Sequence, residues 1–328
     1  MTPGERRRRI LESLGGAAHG VGATGATLEV SLAAQESGRI QEATLLVDAS
    51  FRAHGRQGQP EPRFRAFLDG VQESRVLAYV GVVPIVLGHA AAVIRHRIDR
   101  RLSTWGEGAR SAEAAFFPFP LVEPSVVDRL VDAGCEAVDT SNESTAAPDV
   151  HPQQLLRRAV QAVQRRREQL ERDLADQWCD VSQAMLYVDG GLPSSARVLS
   201  SRLAIGVIKS HLTLYVAGEA LATVMALGAG ERSSAFVAET RWRAPVASWY
   251  LRLRDARGHD PLWGLVRIEA PLDMLAGDAR AANVVADEVS GWVLAESSPL
   301  SLPDSRWDTM AYGIRDCEVF LRASRGAG

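Results

Sequence analysis

The segments Phe67-Leu68-Asp69-Gly70 and Tyr187-Val188-Asp189-Gly190 decide the fold of this chain. In each, an apolar run typical of a buried strand ends in an aspartate that is followed at once by glycine. A carboxylate at the end of a core strand is costly to desolvate unless a positive charge meets it. If the two strands are neighbours in one sheet, the aspartates form a site for a hard divalent cation. Asp69 and Asp189 are therefore the expected central pair, although Asp-Gly also marks ordinary turns.

Composition allows a large core and gives no sign of a basic protein. The chain has 328 residues, of which 46% are hydrophobic and 23% charged, with a net charge of −3. This length suits one large domain or two smaller ones. The three cysteines form no CxxC motif, and the N-terminal segment lacks the apolar core of a signal peptide. We therefore expect a cytoplasmic location.

One uncharged stretch, Val76 to Ile94, reaches the length of a membrane span. Glycines, a proline and a histidine interrupt it, and it is rich in valine. These features favour one or two buried strands that run into a short helix. We therefore expect no membrane association.

The order of the remaining elements indicates an α/β domain around a mixed sheet. The sequence predicts strands first, then a long helix from His151 to about Asp180, then further strands, and finally a terminal helix from Ser305 to Arg322. Residues 1–45 read as an N-terminal helical arm, and residues 46–328 as the main domain. Strands Phe64–Leu68 and Met185–Val188 carry the two aspartates.

The long helix offers a third carboxylate. Glu171 lies about 60° from Leu174 around the helix, at the margin of the apolar face, whereas Glu168 turns toward solvent. A glutamate turned partly toward the core is well placed to bind a metal ion. The alternative is a surface ion pair with Arg167.

The terminal helix is expected to supply the fourth ligand. Asp304, Asp308 and Asp316 are available there. Asp308 falls in the first turn of the predicted helix and is the preferred candidate. A carboxylate in that position also interacts favourably with the helix dipole, which is the alternative interpretation.

Lys209 is the only lysine among 37 basic residues. It lies in an apolar segment, Leu203 to Val216, which is predicted to be a long strand or hairpin. A lysine beside a metal site can hold a phosphate or balance carboxylate charge, and His211 points to the same side. The alternative is a surface lysine whose stem covers apolar neighbours.

Trp249 to Arg254 alternates between two kinds of side chain. Tyr250, Arg252 and Arg254 share one face of the predicted strand. That face could bind phosphates while the tyrosine stacks on a base. A polar outer face without a ligand is the alternative.

Taken together, these segments resemble the NurA nuclease family. The matching pieces are Leu68-Asp69-Gly70, the helix with Glu171, the segment 187–195, the Gly206 to Lys209 strand, and Trp249 to Leu253. The resemblance spans roughly residues 64–320. It implies an RNase H-like mixed β-sheet flanked by helices, with insertions.

The resemblance also implies a function. It implies Mn²⁺- or Mg²⁺-dependent cleavage of DNA in end resection and double-strand break repair. It further implies a homodimer that binds DNA ends and a HerA-type hexameric ATPase. Catalysis falls to Asp69, Glu171, Asp189 and Lys209, with Asp308 completing the metal site.

The sequence departs from the family pattern in three places. Val71 and Gly191 stand where the family commonly has serine, and no histidine follows His259. Asp308 or Asp304 is expected to replace the C-terminal histidine. The alternative function is a catalytically impaired scaffold subunit that binds the ATPase and DNA ends, and a third is an enzyme that acts on RNA or hybrids.

Overall fold

A computed structural model describes residues 3–15, 19–20, 28, 38–41, 43–55, 59–141, 151–240, 243–297 and 308–325. Within these ranges the α-helices are α1 (Pro3–Leu14), α2 (Pro124–Asp132), α3 (Pro152–Val181), α4 (Ala196–Ser201), α5 (Gly218–Met225), α6 (Ala279–Ser297) and α7 (Tyr312–Arg325). Two short 3-10 helices span Phe119–Leu121 and Leu272–Leu275.

The strands of the described residues are β1 (His19–Gly20), β2 (Arg39–Ile40), β3 (Thr44–Leu45), β4 (Ala53–Gly55), β5 (Phe64–Val80), β6 (Val83–Ile98), β7 (Arg101–Thr104), β8 (Arg110–Phe117), β9 (Glu136–Asp139), β10 (Met185–Asp189), β11 (Ala204–Ile208), β12 (Thr213–Leu214), β13 (Glu231–Ser233), β14 (Phe236–Thr240), β15 (Arg243–Arg252) and β16 (Leu265–Ala270).

One large mixed sheet organises the fold. Its main path runs β3-β14-β15-β16-β11-β10-β5-β6-β8-β9. β5, β6 and β8 form an antiparallel meander, and β10 and β11 add to β5 in parallel. This order of three antiparallel and two parallel strands is the RNase H-like arrangement, so the predicted fold class is confirmed. The parallel pair β5–β10 requires a crossover, and α3 provides it.

Helices cover both faces of the sheet. Phe67 and Tyr187 point to one face, where buried side chains of α6 and α7 complete the core. Their sequence neighbours Leu68 and Val188 point to the opposite face, against Leu174 and other residues of α3. Because both faces are covered, the central strands are apolar throughout.

The apolar stretch from Val76 to Ile94 forms the turn and flanking strands of the β5–β6 hairpin. Gly81 makes the turn with a φ of +58°. The two predicted strands are confirmed, but the expected short helix is wrong, because β6 continues as a strand to Ile98. In the part of the chain that the structure describes, no helix combines the length and the apolar character that a membrane span requires.

The N-terminal segment attaches to the far end of this hairpin. Ile10 and Leu14 of α1 are buried with Leu130 of α2 and with the hairpin strands. β1 pairs with β5 near Tyr79. A helix is therefore present in the predicted arm, and the division at residue 45 stays a prediction.

The terminal helix begins later than the sequence suggested. α7 begins at Tyr312, not at Ser305, which lies outside the described residues. The helix approaches β5 closely, because Gly313 rests on the ring of Phe67. A Cβ at position 313 would lie 2.2 Å from a Phe67 ring carbon. The absence of a side chain there sets how near α7 comes to the sheet.

We expect Gly313→Ala to destabilise the protein by about 1–3 kcal/mol, because the added methyl group overpacks the core against a ring that is fully buried. Urea unfolding measures the change. The matched control is Gly4→Ala in α1, where nothing lies within 4 Å of the new Cβ. An unchanged unfolding free energy for the position 313 variant would contradict the close packing.

Candidate active site

Asp69 and Asp189 lie on neighbouring parallel strands. The register pairs Leu68 of β5 with Val188 of β10, which places the next residues side by side. The predicted meeting of the two aspartates is therefore observed. Their catalytic role stays a prediction.

The position of Asp69 within its strand corrects the sequence analysis. Asp189 ends β10, and Gly190 turns the chain with a φ of +105°. Asp69, however, lies inside β5, which continues through Gly70 as far as Val80. The expectation that both aspartates sit at strand ends is wrong for Asp69. Gly70 is needed for a different reason.

Gly70 leaves room for the carboxylate of Glu171. A Cβ at position 70 would lie 2.3 Å from Glu171 Oε1 and 3.0 Å from Arg167 Cγ. The glutamate thus reaches from α3 onto the backbone of β5 beside Asp69. Any larger residue at position 70 would push this carboxylate away.

Glu171 is buried, as its place on the helical wheel predicted, with 8% of its surface exposed. Burial raises its pKa to about 7, and the charges of Glu168 and Asp189 act in the same direction. Arg167 opposes this rise through a 2.8 Å hydrogen bond from Nη1 to Oε1. Glu171 thus pairs with Arg167, as one interpretation expected, although the pair is not on the surface. Metal binding by Glu171, the other interpretation, stays a prediction.

Asp69 is the carboxyl of the site whose charged form is most strongly disfavoured by its surroundings. Burial raises the pKa of this carboxyl well above its usual range, and Asp189, Glu171 and Glu318 add to the rise. Lys209 is the charge that opposes it. Four carboxylates on separate elements thus act on one another around Asp69.

Lys209 lies one residue beyond the end of β11, and its ammonium group pairs with Asp189. The Nζ atom is 2.8 Å from Oδ1 and 2.9 Å from Oδ2 of the aspartate. The expected long strand is wrong at this point, because β11 ends at Ile208. The side chain is only 19% exposed, so Lys209 belongs to the acidic site and is not a free surface lysine.

Glu318 is the carboxylate that α7 supplies, and sequence reasoning missed it. Its side chain is buried and its charge acts on Asp69. Asp308, the predicted fourth ligand, instead accepts a hydrogen bond from the backbone N–H of Gly264 at 2.9 Å. Asp316 pairs with Arg95, and Asp304 lies outside the described residues. Metal binding by Asp308 stays a prediction, and Glu318 is the acid of α7 whose charge acts on Asp69.

A helical wheel would have found Glu318. It lies about 40° from Ile314 and about 60° from Leu321, both on the buried face of α7. The same reasoning had selected Glu171 on α3. The sequence analysis placed the first turn of the terminal helix at Ser305 and therefore favoured Asp308, whereas α7 begins at Tyr312.

Glu269 holds the loop that follows Asp189. This buried carboxylate accepts hydrogen bonds from Leu192 N at 2.8 Å and from Arg243 at 3.1 Å through Oε2. Its Oε1 accepts from Arg267 at 2.8 Å. Arg243 also lies over Gly191, where a Cβ would come within 2.6 Å of its Nη1. Gly191, noted as a departure from the family pattern, therefore makes room for an arginine.

The proposed DNA-contacting strand face is wrong for two of its residues. Tyr250 and Arg252 are fully buried, because β15 lies between β14 and β16 and its second face is covered by α5. The hydroxyl of Tyr250 accepts from Tyr215 N at 2.9 Å. Arg252 donates hydrogen bonds to four backbone carbonyls. Three of these carbonyls, at residues 224, 225 and 227, lie at the C-terminal end of α5. An arginine that caps a helix end was mistaken for one that faces solvent.

Arg254 and His211 are half-buried and bind backbone. Arg254 donates to Ser297 O at 2.6 Å. His211 Nε2 lies 2.9 Å from Leu265 O, and burial lowers the pKa of its imidazole. Both side chains fasten loops near the site, and contact with DNA stays a prediction for them.

Asp69 and the three acids that act on it have the chemical type of side chain that binds a hard divalent cation. All four are carboxylates, the ligands that Mg²⁺ and Mn²⁺ prefer, and their mutual repulsion is what a cation would relieve. Among the described residues, however, no three Asp, Glu, His or Cys side chains converge closely enough to enclose a metal ion. Lys209 and Arg167 hold Asp189 and Glu171 as ion pairs in this arrangement.

We expect Glu171→Gln to change how stability depends on pH. The folded carboxyl keeps its proton up to about pH 7, whereas the unfolded one loses it near 4.5. Wild-type stability therefore falls across that window, by up to roughly 3 kcal/mol, and the glutamine variant lacks this loss. Urea unfolding in chelator between pH 4 and 8 measures it. Glu107→Gln, at an exposed acid in the turn before β8, is the control, and parallel profiles for wild type and Glu171→Gln would contradict the buried acidic cluster.

Comparison with known proteins gives likenesses to solved structures. No family model and no curated protein matches the chain. The crystal structure of the NurA nuclease from Sulfolobus solfataricus is similar with a TM-score of 0.45 and 9% sequence identity, covering 85% of this chain and 80% of that chain. A likeness of this extent carries no argument about function, which therefore rests on the residues of this chain.

Proposed function

We propose that this protein is a metal-dependent DNA nuclease. The observation that carries the proposal is that the charges of three further carboxylates, Asp189, Glu171 and Glu318, act on buried Asp69 beside adjacent parallel strands of an RNase H-like sheet. Carboxylates from separate elements are what a two-metal phosphodiesterase requires. Buried acids that raise one another's pKa also cluster at functional sites.

The four carboxylates would hold Mn²⁺ or Mg²⁺. Such a cation supplies activation of water and neutralisation of charge on the phosphate. Asp69 would contribute most directly, because the charges of Asp189 and of the two helix glutamates all act on it. Glu269 acts indirectly, because the hydrogen bond that it accepts from Leu192 N fixes the loop after Asp189.

Lys209 gives the site a positive group on the side of Asp189. Its ammonium group neutralises the aspartate in the described arrangement. With a cation bound to Asp189, the ammonium group of Lys209 would be available to donate a hydrogen bond to a phosphate oxygen of the substrate. The residue would thus hold the scissile phosphate, as proposed for positive groups at phosphoryl-transfer sites.

The wider role follows from the sequence resemblance to NurA nucleases. We propose that the protein works in DNA end resection and double-strand break repair, as a cytoplasmic homodimer with a HerA-type hexameric ATPase. The acidic residues and the strand order support the nuclease part of this proposal, while the repair role and the partner rest on the resemblance alone. Pull-down of a HerA-type ATPase with the purified chain tests the partnership separately from catalysis.

We expect Asp189→Asn to reduce Mn²⁺-stimulated cleavage of linear DNA by 100-fold or more. The neutral amide binds the cation less strongly than the carboxylate does, and it no longer repels Asp69. End-labelled duplex and single-stranded DNA serve as substrates. Asp180→Asn is the control, since this exposed aspartate pairs with Arg197 on the surface. Cleavage that persists in Asp189→Asn would reject the site.

A second pair of variants distinguishes Glu318 from Asp308. We expect Glu318→Gln to weaken Mn²⁺ binding about tenfold or more, because it removes one of the charges that act on Asp69. Asp308→Asn should leave the affinity unchanged, because this residue binds the backbone at Gly264. Titration calorimetry of the intact chain with Mn²⁺ measures both, and the opposite order would restore Asp308 as the ligand.

The second candidate function is a scaffold subunit without catalysis that binds the ATPase and DNA ends. The ion pairs of Lys209 with Asp189 and of Arg167 with Glu171 favour it, because they already neutralise two of the acids. Calorimetry separates the two functions. A protein that gives no heat with Mn²⁺ and no cleavage, yet binds DNA ends, is the scaffold.

A further inference from the structure

The loop between β15 and β16, residues 255–264, lies at the same edge of the sheet as Asp189. β10 and β11 are parallel, with Asp189 paired to Val207. β16 runs antiparallel to β11, with its first half beside Ile208. The end of β10 and the start of β16 therefore point to one edge of the sheet. Asp189 is level with Ile268, two strand spacings or about 10 Å away, and Leu265 lies three residues further toward that edge.

Three contacts fasten this loop to the neighbourhood of the acidic site. Arg252 donates to Trp263 O at 2.6 Å, and Asp308 accepts from Gly264 N at 2.9 Å. His211, two residues after Lys209, binds Leu265 O at 2.9 Å. Residues first predicted to contact DNA or metal thus hold the loop in place.

The loop presents a pair of parallel aromatic rings. The rings of His259 and Trp263 stack with centroids 4.0 Å apart and an interplanar angle of 9°. His259 is exposed, while Trp263 is half-buried beneath it. A flat imidazole supported from below by an indole is a preformed surface, because neither ring must lose further freedom when a third ring stacks on it.

We propose that His259, supported by Trp263, is a stacking platform for an unpaired base of single-stranded DNA whose backbone continues into the acidic site. This inference deepens the proposed nuclease function and rests on it for the identity of the strand. The fold assigns the platform to the substrate edge, and stacking on aromatic rings is how proteins hold single strands without regard to sequence.

The surroundings of the platform suit a nucleic-acid strand. Arg257, two residues before His259, has 91% of its side chain exposed, with Asp255 as its ion-pair partner. Its guanidinium can meet a phosphate of the same strand. Lys209 offers a second positive group on the way to Asp189. An unpaired base fits this site better than a duplex, because a paired base presents only its edge.

The experiment compares two oligonucleotides with the same backbone charge. One is a labelled single-stranded oligo-dT, and the other is an abasic oligomer of equal length. Fluorescence anisotropy with the full chain in chelator measures both affinities without cleavage. We expect wild type to bind oligo-dT roughly tenfold more tightly than the abasic strand, as one stacked base provides.

Variants assign this preference to the platform. His259→Ala should abolish it, while His259→Tyr, which keeps a ring, should retain it. The matched control is His96→Ala, which removes an imidazole that also lies beside a tryptophan, Trp178, but on β6 near the start of β5. Thermal unfolding of each variant verifies that it is folded.

The outcomes separate this inference from the nuclease proposal. The platform is overturned if wild type shows no preference for oligo-dT over the abasic strand. It is also overturned if the preference survives in His259→Ala, or if His96→Ala loses it to the same extent. Failure to bind single-stranded DNA at all overturns it too. A platform that passes these tests in a protein that never cleaves DNA leaves the inference standing and rejects the nuclease. Cleavage of DNA by a protein that shows no base preference supports the nuclease and rejects the platform.

Discussion

The burial of Asp69 inside an apolar strand is the constraint on which the site depends. A carboxylate there loses its water, and three further acids come close enough to raise its pKa. Such an arrangement persists only where positive charge compensates it. In the described structure Lys209 acts on Asp69 and pairs with Asp189, while Arg167 pairs with Glu171 and Arg322 with Glu318. A divalent cation would add further positive charge. The lone lysine is therefore part of the electrostatic balance that keeps this region folded.

The sheet explains why the acids meet. The β5–β10 pairing sets Asp69 beside Asp189, α3 crosses between these strands and delivers Glu171, and α7 lies across β5 and delivers Glu318. Two glycines permit the close approach, since Gly70 admits a carboxylate and Gly313 admits a ring. Each acid is thus placed by an element whose packing is determined by apolar side chains elsewhere.

Much of this could be predicted from sequence, and the failures have physical causes. Apolar runs and helical periodicity predicted α3, both aspartate strands and the buried side of Glu171. The alternation of side chains along the strand wrongly predicted that Tyr250 and Arg252 face solvent. A central strand is covered on both faces, and the guanidinium of a buried arginine can donate its hydrogen bonds to helix carbonyls. The fourth acid was missed because the start of α7 was misplaced. Long-range pairs such as Asp308 with Gly264 leave no local pattern in the sequence.

The contact of Cys317 with the carbonyl of Phe67 joins residues that are 250 positions apart in the chain. Contacts of such separation are slow to form, because a long loop must close before they give any stability. During synthesis, the first aspartate leaves the ribosome long before the helix that carries Glu318 exists. A nascent or truncated chain would thus contain part of the acidic cluster without its last member. The acidic cluster therefore cannot be complete before α7 has been synthesised and has packed against β5.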